Sequence, residues 1–214
     1  MRIESVKQAK RGKNLIVTFD DETTLRLPAA IVADFGLYPD TEITEEELAK
    51  VRREAERAAA RASAVRIVSA TSVTEGGLRR KLMQKGRSAE DAAEAVQWMK
   101  GLQLLDDRQV AEQVVSSCVR RGYGKARIKQ ALYEKQVPRE YWDEALAAVP
   151  EMTDAIEDFL KKRFGGQQPD RKEIDKAVNA LLRRGHSWSE IKQGLRRYEE
   201  FCADSLEDDG FYEL

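Results

Sequence analysis

Residues 101–132 read GLQLLDDRQVAEQVVSSCVRRGYGKARIKQAL: one helix ending, a connector, a second helix, a glycine break and a third helix. Gly101 stands where a helix stops, since glycine enters the left-handed conformation at no steric cost. Leu102, Leu104 and Leu105 are expected to cross back over a core, and Asp106 can accept a hydrogen bond from the free amides of a helix beginning at Asp107. Val110, Ala111, Val114, Val115 and Cys118 then recur at helical spacing. Gly122 and Gly124 interrupt that run, and Ala126–Leu132 starts the next helix. The centre of the chain is therefore predicted as short helices packed by their apolar faces, with basic residues outside.

Working outward, the same pattern recurs. LRRKLMQKGRSAEDAAEAVQWM (78–99), IKQALYEKQVPREYWDEALAAV (128–149) and AVNALLRRGHSWSEIKQGLRRY (177–198) align so that Leu82, Leu132 and Leu181 coincide. So do Lys85, Lys135 and Arg184, then Val96, Leu146 and Leu195, then Met99, Val149 and Tyr198. Each copy reads helix, break, helix. The breaks are Gly86-Arg87-Ser88, Val137-Pro138 and Gly185-His186-Ser187, with Ser88 and Ser187 as N-caps and Pro138 in a first-turn position. A further helix precedes each pair, over 45–71, 107–121 and about 152–164. Such units bury too little surface alone and gain by stacking. The prediction is a mainly α protein: three tandem three-helix repeats in an elongated, curved array, with a small N-terminal antiparallel β region.

The expected organisation is a β-strand region with a short helix over 1–43, repeats over 44–105, 106–150 and 151–203, and an acidic tail over 204–214 that does not pack. In the first segment, runs around Ile3, Leu15–Phe19 and Leu25–Leu27 are separated by turn-like KRGKN (10–14) and DDET (20–23). A short helix follows Pro28 and is closed by Gly36. Thr44-Glu45-Glu46-Glu47 is a capping box opening a long helix, with Leu48, Val51, Ala55, Ala58, Ala59 and Ala62 as its apolar side and a polar first half acting as a connector. GGQQPD (165–170) is the most loop-like stretch between units.

Composition bounds the function. The 214 residues are 42% hydrophobic, enough for cores, while 35% are charged and only 7% aromatic, which suits amphipathic helices with solvated outer faces. No 18-residue apolar run and no signal-peptide h-region occur, and Cys118 and Cys202 lie in no CxxC pair, so a soluble protein of the reducing cytoplasm is expected. The net charge of −1 hides a partition: residues 48–201 hold 31 basic and 23 acidic side chains, between ends with 6 against 10 and none against 5. A basic body of this kind suits a polyanion or an acidic protein surface.

Catalytic chemistry finds little footing. His186 is the only histidine and stands in a helix–helix break, where a solvated or capping role is expected. Gly122-Tyr123-Gly124-Lys125-Ala126 lacks the spacer and the Ser or Thr of a phosphate loop and reads as a break. Asp106 and Asp107 read as a cap and a dipole partner. No enzyme activity, metal or cofactor is expected. Basic residues are the better lead: if the units stack with a constant rotation, Lys85, Lys135 and Arg184 fall on one curved track. Tyr123, Tyr133, Trp142 and Trp188 are expected as core or boundary anchors.

Two runs together also resemble the RecX family of bacterial RecA regulators: Gly101-Leu102-x-Leu104-Leu105-Asp106-Asp107-Arg108-x-x-Ala111 and Arg121-Gly122-Tyr123-Gly124-x-x-Arg127-Ile128-x-x-x-Leu132. Leu78-x-x-Lys81-Leu82-x-x-Lys85-Gly86 and Leu181-Leu182-x-Arg184-Gly185 extend the similarity over about 45–200. Departures are Gly76-Gly77, where an acidic residue is usual and Thr74 or the Ser72/Glu75 pair is left to cap the helix, and Val137-Pro138, where glycine is common. The resemblance implies an all-helical, elongated protein lying in the deep groove of the RecA–DNA filament, and a monomer is expected. There it would bridge protomers and inhibit ATP hydrolysis, strand exchange and filament extension, so modulating recombinational repair and the SOS response. The expected RecA or DNA contacts are Arg79, Lys81, Lys85, Arg120, Arg121, Lys125, Arg127, Lys129, Lys135, Arg183 and Arg184. The alternative is a helical-repeat DNA-binding protein that acts without RecA.

Overall fold

A computed structural model describes residues 1–10 and 12–208, the last five of these by backbone alone. Three strands, β1 (Ile3–Gln8), β2 (Asn14–Phe19) and β3 (Thr24–Pro28), form an antiparallel sheet in the order β1-β2-β3, with an irregular register between Ile3 and Ser5. Helix α1 (Ala29–Asp34) follows Pro28, and Gly36 turns the chain with φ of 59°. Ile3, Val17, Phe19, Leu27 and Leu37 form the dry centre beneath this sheet. A three-stranded sheet is marginal alone, and it is completed by Leu48 and Val51 of the next helix.

That helix, α2 (Glu45–Ala70), opens with the full capping box: the Glu47 amide donates to Thr44 Oγ1, and the Thr44 amide donates to the Glu47 carboxylate. Its apolar residues fall in two stripes. Leu48, Val51, Ala55 and Ala58 meet the sheet, whereas Ala60, Ala64 and Ile67 enter the core of the first helical group. At about 100° per residue these stripes lie on nearly opposite faces. The single apolar side predicted for this helix is thereby corrected: Ala62 is exposed, and the first half is packed on the sheet rather than a free connector.

Helices α3 (Glu75–Gln84) and α4 (Ala89–Gly101) complete the first group around Leu78, Leu82, Ala92, Ala95 and Met99. Thr74 caps α3 by accepting from the Gly77 amide at 2.9 Å, which compensates for a first turn weakened by two glycines. The second group is α5 (Asp107–Arg120), α6 (Lys125–Glu134), a 3-10 turn (Arg139–Tyr141) and the short α7 (Trp142–Ala147), around Ala111, Val115, Ile128, Leu132 and Trp142. The third is α8 (Thr153–Phe164), α9 (Arg171–Arg183) and α10 (Trp188–Asp208), around Ile156, Leu160, Ala177, Leu181, Ile191 and Tyr198. The protein is thus mostly helical with one small sheet. By contacts it divides into two compact units, Met1–Leu105 and the chain from Asp106 onward.

Several local expectations are corrected. α4 does end at Gly101, but the left-handed residue is Gln103, with φ of 56°. Leu102 and Leu104 are exposed because the connector runs on the surface, and of the three leucines only Leu105 packs on the core. GGQQPD joins α8 to α9 inside the third group. α10 continues to Asp208, so residues 204–208 of the predicted tail are helical, and residues 209–214 lie outside the described residues.

Candidate interaction surface

The three aligned breaks share one hydrogen-bond pattern. After α3, the Gly86 amide donates to Met83 O and the Arg87 amide to Leu82 O. After α6, Gln136 donates to Tyr133 O and Val137 to Leu132 O, and after α9, Gly185 donates to Leu182 O and His186 to Leu181 O. These are Schellman endings, with φ of 80°, 57° and 86° at Gly86, Gln136 and Gly185. The second break therefore turns at Gln136, one residue before the predicted Val137-Pro138. Val137 itself is buried, and Pro138 sits outside the 3-10 turn it precedes. Lys85, Lys135 and Arg184 are the C-cap residues of the three helices, where a cation faces the negative end of the helix dipole.

Within the second unit, two breaks dock directly on each other. The Gly124 amide donates to Arg184 O at 3.0 Å and the Ala126 amide to Gly185 O at 3.2 Å. His186 closes the contact: it is 4% exposed, and its Nε2 lies 3.0 Å from Gly122 O, which can only accept. Nε2 therefore carries the proton, and Nδ1 is buried with no hydrogen-bond partner among the described residues. Burial pushes the imidazole below its ordinary pKa. The solvated or capping role expected for His186 is corrected to a buried link between groups. Its signal was available only in three dimensions, because Gly122 is 64 residues away.

This docking brings Arg120 and Arg121 at the end of α5, Lys125 at the start of α6, and Arg183 and Arg184 at the end of α9 to one region. They are not equivalent. Arg184 lies over the Phe159 ring at 4.8 Å, and Arg127 pairs with Glu134 at 3.2 Å. Arg120 donates to Ser116 Oγ, and Lys135 is engaged by a neighbour. Arg121, Lys125, Lys129 and Arg183 are exposed and make no ion pair among the described residues. Lys125 adds its field to the hydrogen bonds from Ser187 that outweigh burial and hold the Glu190 carboxyl below its usual range. Two expected anchors are corrected here: Trp142 is buried and Tyr123 half-buried, but Tyr133 and Trp188 are 64% and 61% exposed. Tyr133 lies 100° round α6 from the Ile128–Leu132 stripe, and Trp188 is the first residue of α10, with no further turn to cover it.

In the first unit, Lys81 and Lys85 border a cleft of about 570 Å³ together with Arg66, Ser63 and Thr71, while Arg79 stands on the far side of α3. Arg66 was missed by sequence reasoning because it reads as one of many arginines along α2. A second cavity, about 430 Å³, runs between α5 and α7, lined by Ala111, Val115, Val119, Tyr141 and Ala145 with Arg108 and Glu144 at its rim. It exists because α7 has six residues where α4 has thirteen, leaving part of α5 uncovered. Among the described residues, no group of three or more His, Cys, Asp or Glu side chains could hold a metal ion, and both cysteines are free and buried. Among the described residues no helix is long and apolar enough to cross a membrane.

Residues 106–146 match the RecX second three-helix domain, the α5–α7 group. The Regulatory protein RecX of Trichlorobacter lovleyi is 30% identical over 138 residues, covering 61% of this chain and 90% of that protein. The one from Clostridium perfringens strain SM101 is 32% identical over 137 residues, so the alignment spans 64% of each chain. A crystal structure of regulatory protein RecX superposes with a TM-score of 0.62 at 23% identity, covering 89% of this chain and 98% of that one, and so shares the fold. Taken with the thrice-built helix ending, these similarities establish that this chain belongs to the RecX family of regulatory proteins.

Proposed function

We propose that this chain regulates RecA by binding along the RecA–DNA filament, restraining ATP hydrolysis, strand exchange and filament extension. The observation that carries the reading is the identical helix ending, with a cation at its C-cap, repeated at separations of 50 and 49 residues. A surface built three times suits a partner that itself repeats, and contacts that are modest singly multiply when they are linked. Segments 44–105, 106–150 and 151–203 act as three contact modules of one monomer working in the cytoplasm. Arg121, Lys125, Lys129 and Arg183 in one unit, and Lys81 and Lys85 in the other, supply charge for phosphates or acidic side chains.

The test is RecA ATP hydrolysis on single-stranded DNA, with this protein added well below one copy per RecA. Loss of hydrolysis at that ratio supports the reading, and unchanged hydrolysis removes it. Arg121, Lys125, Lys129 and Arg183, exposed and without an ion pair among the described residues, also favour a second reading, direct DNA binding without RecA. That reading requires binding to RecA-free DNA that falls steeply as salt rises.

A further inference from the structure

Met83, Tyr133 and Leu182 occupy one register, each directly after a core leucine. Leu82, Leu132 and Leu181 are 0%, 0% and 1% exposed, whereas the residues that follow them are 47%, 64% and 44% exposed. Among the described residues nine large hydrophobic side chains are exposed, and three of the nine hold this position, one in each helical group. Scattered single exposures need no explanation. Recurrence at the same position of every repeat does, because a polar residue there would keep the helix and cost nothing in packing.

The backbone fixes these three side chains alike. The carbonyl oxygens of Met83, Tyr133 and Leu182 each accept the amide of the left-handed residue at a donor–acceptor distance of 2.9 Å. Each side chain therefore leaves its helix from the same turn of the same Schellman ending, a rigid point rather than a fraying end. Cations accompany them. Arg79 precedes Met83 by four residues and Lys129 precedes Tyr133 by four, so each shares a helix face with its apolar neighbour, and Arg183 adjoins Leu182. None of these three cations makes an ion pair among the described residues.

We propose that Met83, Tyr133 and Leu182 are apolar knobs that enter carboxylate-rimmed recesses on a protein partner presenting the same surface repeatedly. This rests on the filament reading above and adds that these positions meet the filament's protein, not its nucleic acid. A thioether, a phenol and an isobutyl group have little in common as stacking surfaces for bases. They share apolarity and reach, which a recess between packed side chains accepts. The flanking cations then find partners in the carboxylates at the recess edge. Each helical group carries its own knob.

The test compares the full chain with Met83→Ser, Tyr133→Ser and Leu182→Ser, singly and combined, for binding to RecA filaments on single-stranded DNA and to the same DNA without RecA. Each single variant is expected to weaken filament binding by roughly five-fold and the triple by about 100-fold, with binding to RecA-free DNA and the melting temperature unchanged. A triple variant that binds filaments like the parent overturns the knobs and leaves the filament reading standing. Equal losses on RecA-free DNA overturn them in favour of wedges between bases. A parent chain that binds no filament overturns both readings.

Discussion

Gly124 and Gly185 meet backbone to backbone: a Cβ on Gly124 would lie 2.2 Å from the Gly185 carbonyl oxygen, and one on Gly185 would lie 2.3 Å from the Arg127 amide nitrogen. Gly124 has an ordinary φ of −74°, so its need for glycine is one of space alone. Gly185 needs both space and the left-handed conformation.

Gly124→Ala should therefore lower stability by about 3 kcal/mol, the upper range for overpacking, because the obstructing atoms are backbone. Gly101→Ala is the control. Nothing lies within 4 Å of its added methyl and the residue is helical, so a gain of about 0.5 kcal/mol is expected. Urea denaturation of both variants checks the contrast.

Gln136 holds a left-handed conformation where its two counterparts are glycine. That geometry costs a non-glycine residue about 1–2 kcal/mol. Gln136→Gly should thus stabilise the protein by about 1 kcal/mol after its extra unfolded-state entropy is subtracted, and Gly86→Ala should destabilise by about the same amount. Thermal melts of the two variants should move in opposite directions.

Thr74 is buried, and it starts a helix whose second and third residues are Gly76 and Gly77. Loss of its cap leaves a first turn with no propensity to fall back on. Thr74→Ala should cost about 2 kcal/mol, whereas Thr74→Ser should cost less than half of that, as read by the urea midpoint.

His186 gives the chain a pH dependence of definite sign. Burial lowers its pKa in the folded state, so the unfolded chain takes up a proton at a higher pH than the native protein does. The stabilisation is complete above the unfolded value, about 6.5, and declines as pH falls from there toward the lowered native value. His186→Gln should remove this part of the slope, which lies below about pH 6.5. As the single histidine in the chain, its imidazole proton resonance can also be followed directly, and it should titrate below 6.5.

Charge reversal should separate exposed cations from held ones. Arg121→Glu, Lys129→Glu and Arg183→Glu combined should weaken inhibition of RecA ATP hydrolysis by roughly ten-fold or more while leaving the melting temperature nearly unchanged. Arg184→Ala instead loses its packing on Phe159 and should lower the melting temperature by a few degrees.

Much of this architecture was legible from spacing. The recurrence of Leu82, Leu132 and Leu181 at separations of 50 and 49 residues located three equivalent core positions, and Thr44, Ser88 and Asp106 act as the caps their sequence context suggests. What stayed hidden has physical causes. A left-handed glutamine at 136 carries no glycine signal. The two stripes of α2 cancel when the helix is read as one amphipathic surface. Burial of His186 depends on which group docks against which break, and no local window contains that information. Among the basic residues the sequence gives positions but not pairing, so Arg127 and Lys129 look alike until Glu134 is seen to occupy the first.

The two faces of α2 have a mechanical consequence. One uninterrupted rod of 26 residues, about 39 Å long, is a structural wall of the sheet's core at one end and of the first bundle's core at the other. Neither core can lose that wall and survive, so the sheet and the first bundle should melt as one cooperative block. A single proline in the middle of α2 would uncouple them, turning one transition into two and letting a load on the sheet dissipate before it reached the helices beyond.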